Sequence, residues 1–291
     1  MRHHGVVTQL AETTTGSFGI LLQVVAAGNV LVLSGAGLST ESGIPDYRGP
    51  TGLALRATPM TYQTFTASAA ARRRYWARSH LGWRTIAQAA PNRGHHAVAE
   101  LGRRGLLAGI ITQNVDGLHQ AAGASGSAVT ELHGSLHQVI CLSCGQRTAR
   151  MDLHHRLAAA NPGFATGSAV VNPDGDAVLP DEAVEGPGSF RVVDCLTCGG
   201  VLKPDVVFFG ENVPRPRVQA CYALVERADS LLVLGSSLTV MSGLRYVRHA
   251  GKLGLPVVIV NQGATRGDEY ATARLDAPLG QVLTALVGEL W

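Results

Sequence analysis

The chain has 291 residues, 46% of them hydrophobic and 15% charged, which suits a sizeable folded core and excludes a disordered chain. Its 24 basic and 21 acidic residues leave a net charge of +3, too even a balance to point to nucleic acid or to a membrane surface. No apolar run approaches the roughly 18 residues that cross a bilayer. Residues 1–16 are polar, with no basic stretch feeding an apolar one, so no secretory leader is expected. The expected setting is cytoplasmic, where thiols stay reduced and clustered cysteines read as metal ligands before disulfides.

Residues 18–27 carry the first helical pattern, with Ile20, Leu21, Val24 and Val25 on one face and Gly28-Asn29 as the stop. Residues 30–33 follow as a wholly apolar strand that ends in Ser34-Gly35-Ala36-Gly37. Residues 50–91 read as a loop followed by helices, with Arg72, Arg73, Arg74 and Arg78 on a solvated helix face. The strand pattern recurs at 106–112 before Gln113-Asn114, at 230–234 before Gly235-Ser236-Ser237, and at 256–260 before Asn261.

These runs are apolar without alternation, as strands buried on both faces of a parallel sheet must be. A helical stretch precedes each one, so the expected fold is α/β, a Rossmann-like doubly wound parallel sheet with a small zinc-binding module inserted. Ligands of such sheets sit beyond the carboxyl ends of the strands, where all these polar clusters fall. The expected division places the Rossmann-like domain at 17–139 and 200–291 and the zinc-binding module at 140–199.

The metal reading rests on Cys141-x-x-Cys144 and Cys195-x-x-Cys198, two pairs each able to grip one tetrahedral ion. Gly145 and Gly199 stand directly behind the second cysteine of each pair, which suits a tight turn around a metal. Four thiolates leave no open coordination position, so such a zinc is structural. A redox pair or disulfides are the alternatives. The 50 residues between the pairs form a loop-rich insertion that includes Asn161-Pro162-Gly163 and an acidic stretch at 172–188. Cys221 falls in a helical stretch as a buried, inert thiol.

After the first strand, Gly35-Ala36-Gly37-Leu38-Ser39 offers a turn that lets backbone approach a pyrophosphate, with a helix start behind it. Thr40 stands where the third glycine of a G-x-G-x-x-G fingerprint belongs, and an ordinary tight turn explains these five residues equally well. The sequence then continues Glu41-Ser42-Gly43-Ile44-Pro45-Asp46-Tyr47-Arg48. Further on stand Thr112-Gln113-Asn114-Val115-Asp116-Gly117-Leu118-His119, then Glu131-Leu132-His133-Gly134, then Gly235-Ser236-Ser237 and Val260-Asn261.

In these motifs and their order, from about Val30 to Asn261, the sequence resembles the sirtuins. Tyr47, the Cys198-to-Glu211 run and Gly267-Asp268 look most like the class II branch. The resemblance implies an NAD-dependent protein lysine deacylase acting on acetyl or other neutral acyl chains. Its products would be nicotinamide, free lysine and 2′-O-acyl-ADP-ribose, with NAD+ as co-substrate and an acyl-lysine protein or peptide as partner. Mono-ADP-ribosylation of proteins and a non-catalytic NAD sensor or zinc-ribbon module are the alternatives.

The resemblance further implies the site. Gly35, Ala36, Gly37, Ser39 and Thr40 would approach NAD, with Asp116 and the Ile44 backbone on its nicotinamide carboxamide. Gln113 and Asn114 would contact the nicotinamide ribose, Asn114 with a catalytic part. Asp46, Tyr47 and Arg48 would belong to the cofactor loop, with Tyr47 shielding the reaction intermediate. Gly235, Ser236 and Ser237 would meet phosphate, and Asn261 with Gln262 the adenosine end. Val206, Val207, Phe208, Phe209, Gly210 and Glu211 would bind the substrate, pairing with it as an added strand and lining an acyl tunnel.

His133 is the expected general base, because an imidazole with a pKa near ~6.5 accepts a proton at neutral pH with little tuning. Of the other histidines, His95, His96, His154 and His155 read as surface or structural, and His119 as a satisfied structural residue.

Overall fold

The computed structural model describes residues 16–46, 59–164, 172, 175–177, 179 and 189–291. Strand β1 (Val30–Ser34) pairs in parallel with β2 (Leu107–Thr112) on one side and with β7 (Ser230–Leu234) on the other. Beyond β2 lies β3 (Val129–Glu131); beyond β7 lie β8 (Val257–Val260) and β9 (Ala273–Leu275). All the pairings are parallel, and the order is β3-β2-β1-β7-β8-β9. The chain runs outward in opposite directions from β1 and β7, so the crevice above their carboxyl ends is the switch point of the sheet.

Successive strand residues are buried on opposite faces. Val30, Val32, Ile110, Leu232 and Val258 pack with Leu21 and Val25 of α1 (residues 16–27), with α4 (Arg93–Arg103) and with α9 (Leu279–Leu290). Leu31, Leu33, Ile111, Val233 and Ile259 pack instead with α7 (Arg215–Arg227) and α8 (Met241–Lys252). Each such side chain contributes about 1.5–3 kcal/mol on burial, so neither face tolerates the alternation of a half-solvated strand. The expected doubly wound parallel sheet is the one observed. Gly28 and Asn29, both with positive φ, stop α1 where the sequence placed its end.

A second, antiparallel sheet sets β4 (Gly134–Cys141) between β5 (Arg147–Ala149) and β6 (Leu202–Val206). It packs against α3 (Ala69–Gln88) and α6 (Arg150–Ala160) through Trp76, Trp83, Val139, Leu153 and Leu157. Trp76 Nε1 donates to the Leu202 carbonyl at 3.2 Å.

Four expectations need correction. The glycine turn after β1 opens onto two 3-10 turns, Ala36–Leu38 and Thr40–Ser42, and not onto an α-helix. Glu41 leaves this segment to cap α9, accepting Gly280 N–H at 3.0 Å. Strands β3 and β9 were not foreseen, because three-residue edge strands with a polar centre carry no apolar run. Lys203, Pro204 and Asp205 belong to β6 itself and do not merely precede an extended segment. Finally, Arg72 and Arg78 are half-buried clamps: Arg72 donates to the Phe65 and Thr66 carbonyls and Arg78 to that of Leu179. Tyr47, Arg48 and most of the acidic 172–188 stretch lie outside the described residues, and among the described residues no helix is long and apolar enough to cross a membrane.

Candidate active site

The crevice above β1 and β7 opens into a cavity of about 1120 Å³ lined from both sheets. Its walls include every described residue that the sequence placed in the cofactor and substrate sets.

The floor is made of bare backbone. Gly35 N–H donates to Leu234 O at 2.9 Å and Gly37 N–H to Gly235 O at 2.8 Å. A Cβ on Gly35 would stand 2.7 Å from Ser236 Cβ, and one on Gly37 would stand 2.9 Å from Gly235 O. Gly235 itself has φ +62, so this contact admits no larger residue at any of the three positions. Ala36, Thr40, Ser237 and Gln262 line the same end of the cavity. Asn261, at the end of β8, spends its amide on the carbonyls of Gln262 and Gly263, which fixes the turn there.

Behind β2 lies a buried polar network. Ser39 Oγ donates to Asp116 Oδ2 at 2.7 Å, and Asn114 Nδ2 donates to Ser39 Oγ and to Gly35 O, both at 3.0 Å. The other Asp116 oxygen accepts Leu118 N–H, which caps the short helix α5 (Leu118–Ala121). Gln113 Nε2 donates to Ser236 Oγ at 2.8 Å, tying the ends of β2 and β7 together. Such fully partnered buried groups hold one geometry, since leaving any of them unpaired costs about 1–3 kcal/mol. Ile44 and Asp46 close this side of the cavity.

His133 sits half-buried on the turn between β3 and β4. Its Nδ1 lies 2.9 Å from the Gln113 carbonyl, which can only accept, so Nδ1 carries the proton of the neutral ring. The lone pair is therefore on Nε2, which faces Ser242 Oγ at 2.8 Å. Burial lowers the His133 pKa below the usual histidine value; the Gln113 bond opposes this and the Arg217 charge adds to it. Arg217 Nη1 also holds the Leu132 carbonyl at 3.3 Å.

The opposite wall is the segment after β6. Val207 N–H donates to the His133 carbonyl at 2.7 Å, Phe208 N–H donates to Glu211 Oε2 at 2.9 Å, and the Phe209 carbonyl accepts Tyr62 N–H at 2.9 Å. Val206 ends β6, and Gly210 accepts a bond from Gln63. The Phe208 ring packs edge-on against Phe65 and Tyr75, with centroids 5.3 and 5.2 Å away. Tyr75, Ile86, Leu136 and Met60 extend this apolar wall. Sequence reasoning missed Tyr75, Ile86 and Leu136, whose spacing reads only as helix or strand core. It also missed Ser242, because nothing in the motifs reveals that the start of α8 faces His133.

His119, His95 and Cys221 do not line this cavity. His119 is buried, with Nε2 on Ser34 Oγ at 2.8 Å. Its Nδ1 has no partner, so it is only half satisfied. His95 packs edge-on against it, at 5.3 Å between ring centroids. Cys221 is fully buried in α7, and burial raises its thiol pKa.

The metal candidates stand apart from this cavity. The Sγ atoms of Cys141, Cys144, Cys195 and Cys198 all lie within 4.8 Å of one another, and none forms a disulfide. Gly145 N–H returns to Cys141 O and Gly199 N–H to Cys195 O, both at 2.9 Å, with φ +72 and +68. Backbone N–H groups, that of Cys144 foremost, lower the Cys141 thiol pKa to about 6. Two such turns, four converging thiols and N–H groups aimed at sulfur fit a tetrahedral zinc.

Comparison with known proteins agrees with this geometry. Residues 35–242 match the Sir2 family. NAD-dependent protein deacetylase 1 of Streptomyces coelicolor is 66% identical over 264 residues, covering 91% of this chain and 87% of that protein. The protein of the same name from Mycobacterium avium is 50% identical over 275 residues, covering 93% and 94%. A solved Sir2 enzyme superposes with TM-score 0.73 at 28% identity, over 94% of this chain and 98% of that one. A Sir2–p53 peptide–NAD+ complex gives TM-score 0.71 at 28% identity, over 92% and 96%. Matched to the family model over residues 35–242 and to its members along nearly the whole length, the chain belongs to the Sir2 family.

Proposed function

We propose that the protein is an NAD-dependent protein lysine deacylase that removes acetyl or other neutral acyl groups. The observation that carries this is the Nε2 lone pair of His133 facing the same cavity as Asn114, Asp116 and the glycine floor. NAD+ supplies the ribose carbon that captures the acyl oxygen and the nicotinamide that leaves. His133 then takes a proton from a ribose hydroxyl, whose oxygen closes on the acyl carbon. The lysine amine then leaves, a water adds to the acyl carbon, and the products are free lysine, nicotinamide and 2′-O-acyl-ADP-ribose.

The remaining roles follow the cavity walls. Gly35, Gly37 and Gly235, with no side chains, let the diphosphate come close, and Ala36, Ser39, Thr40, Ser236 and Ser237 line its place in the cavity. Asn261 and Gln262 take the adenosine end. Gln113 and Asn114 orient the nicotinamide ribose, and Asp116 with Ile44 holds the carboxamide. Asp46, Tyr47 and Arg48 form the cofactor loop. Val206 to Glu211 present backbone to an acyl-lysine peptide. Cys141, Cys144, Cys195 and Cys198 hold a structural zinc within a module at 140–199, inserted into a Rossmann-like domain at 17–139 and 200–291. The cytoplasm is the proposed setting, since four reduced thiols are what the zinc needs.

The test is nicotinamide release measured with acetyl-lysine peptide, with unmodified peptide and with no peptide. Release only with the acyl peptide, accompanied by acyl-ADP-ribose in the mass spectrum, is the expected result. Release without an acyl group would instead indicate ADP-ribosyl transfer.

A further inference from the structure

His133 is held at both ring nitrogens, and its second partner belongs to none of the sequence motifs. The only lone pair of the neutral ring, on Nε2, faces the Ser242 hydroxyl at 2.8 Å. Ser242 is the second residue of α8 and lines the cavity. The helix start has no side-chain cap, so Ser242 is not engaged as one. Gly243 brings this turn close to β2, since a Cβ there would stand 2.6 Å from Gln113 Oε1. The residue whose carbonyl accepts the Nδ1–H bond is thus the one against which Ser242's turn is seated.

An imidazole nitrogen accepts one good in-plane hydrogen bond. A ribose hydroxyl arriving in the cavity therefore finds the base already occupied by Ser242 Oγ–H. Ser242 Oγ, in contrast, still has lone pairs open to a donor. We infer that Ser242 completes the general base, its hydroxyl carrying the proton from the co-substrate's ribose to His133 Nε2.

The step balances without a further reagent. The ribose hydroxyl gives its proton to Ser242 Oγ while Ser242 gives its own to Nε2. The ribose oxygen keeps the electron pair and bonds to the acyl carbon, whose C=N π pair moves onto the lysine nitrogen, while Ser242 ends neutral and His133 ends as imidazolium. The start of a 12-residue helix is a favourable place for this hydroxyl, because the helix dipole there stabilises partial negative charge on its oxygen in passing.

The inference rests on the deacylase reading, and the experiment separates the two. Exchange of labelled nicotinamide into NAD+ with acyl peptide reports capture of the acyl oxygen, which precedes the proton step. Ser242→Ala should keep exchange within about two-fold of wild type and lose at least ~10-fold in deacylation, a modest share of what general-base catalysis supplies. Ser242→Thr, which restores a hydroxyl, should recover most of that loss. Equal loss of both activities in Ser242→Ala, or no loss in either, would overturn the inference. Absence of any exchange in the wild type would refute the deacylase reading instead. A readout without turnover is the ¹⁵N resonance of His133 in the free protein. Nε2 should shift between wild type and Ser242→Ala while Nδ1 stays protonated, and an unchanged Nε2 would again overturn the inference.

Discussion

Lys203 Nζ lies 3.0 Å from Glu211 Oε2, and the two charges pin both ends of the turn that carries Phe208. Lys203 is only 3% exposed and also donates to the Pro204 and Val206 carbonyls. Burial lowers its pKa, and the Glu211 bond opposes that shift. Lys203→Met should therefore leave Glu211 unpaired and free the segment after β6. Breaking a fully buried pair costs about 3–5 kcal/mol, and partial solvation of Glu211 reduces this to about 1–3. Peptide KM should rise several-fold with NAD KM unchanged. Steady-state kinetics with each substrate varied in turn checks this, and parallel changes in both constants would contradict it.

His133→Ala should fold and bind NAD+ yet lose deacylation by at least ~100-fold, the low end for removal of a general base. Calorimetric titration with NAD+ establishes the binding half of this statement. Turnover near that of the wild type would remove His133 from the role.

Protein purified without chelators should carry one zinc per chain, and changing any of Cys141, Cys144, Cys195 or Cys198 to Ser should lower Tm. The physical reason is that a structural zinc contributes folding free energy directly. Metal analysis giving less than half a zinc per chain counts against the site.

Acetyl and longer neutral acyl chains should be preferred to succinyl or glutaryl. The wall beyond Phe208 is apolar, made of Met60, Tyr75, Ile86 and Leu136. An acidic acyl group would need a cation there, since a carboxylate buried without a partner costs several kcal/mol. Comparison of kcat/KM on matched peptides decides it, and a succinyl-lysine substrate that outperforms every neutral one refutes the expectation.

Acid should destabilise the fold through its buried histidines. Burial, the first cause in each case, holds His95 and His119 at pKa values of about 4, against 6.5 unperturbed. Between those two values the unfolded chain binds protons that the native chain refuses, so stability is full above 6.5 and falls as pH drops towards 4. Denaturant melts from pH 7 to pH 4.5 should show a falling midpoint. His119→Gln should flatten that dependence, and a midpoint flat in the wild type would contradict the prediction.

The sheet and the crevice were legible because burial on both faces writes itself as apolar runs. Residues 30–33 and 230–234 could be nothing else, and the polar residues behind them had only the crevice to occupy. What the sequence hid was contact between segments distant in the chain. Ser242 reaches His133 across 109 positions, and Tyr75 meets Phe208 from a helix whose pattern speaks only of packing. The 3-10 turns after Gly35 were hidden for a local reason: Thr40 Oγ1 bonds back to Gly37 O at 3.0 Å, and such side-chain bonds compete with a regular helix.

The glycine floor has its own consequence for how the molecule answers acidity. Peptide N–H groups and serine hydroxyls have no proton to gain or lose anywhere near neutrality, so the diphosphate site proposed over Gly35, Gly37 and Gly235 should hold its ligand alike at pH 5 and at pH 8. The imidazole of His133, the proposed base, is not so indifferent. Acidification should therefore uncouple holding from spending: the enzyme would stay loaded but idle, and return to work without having to refill.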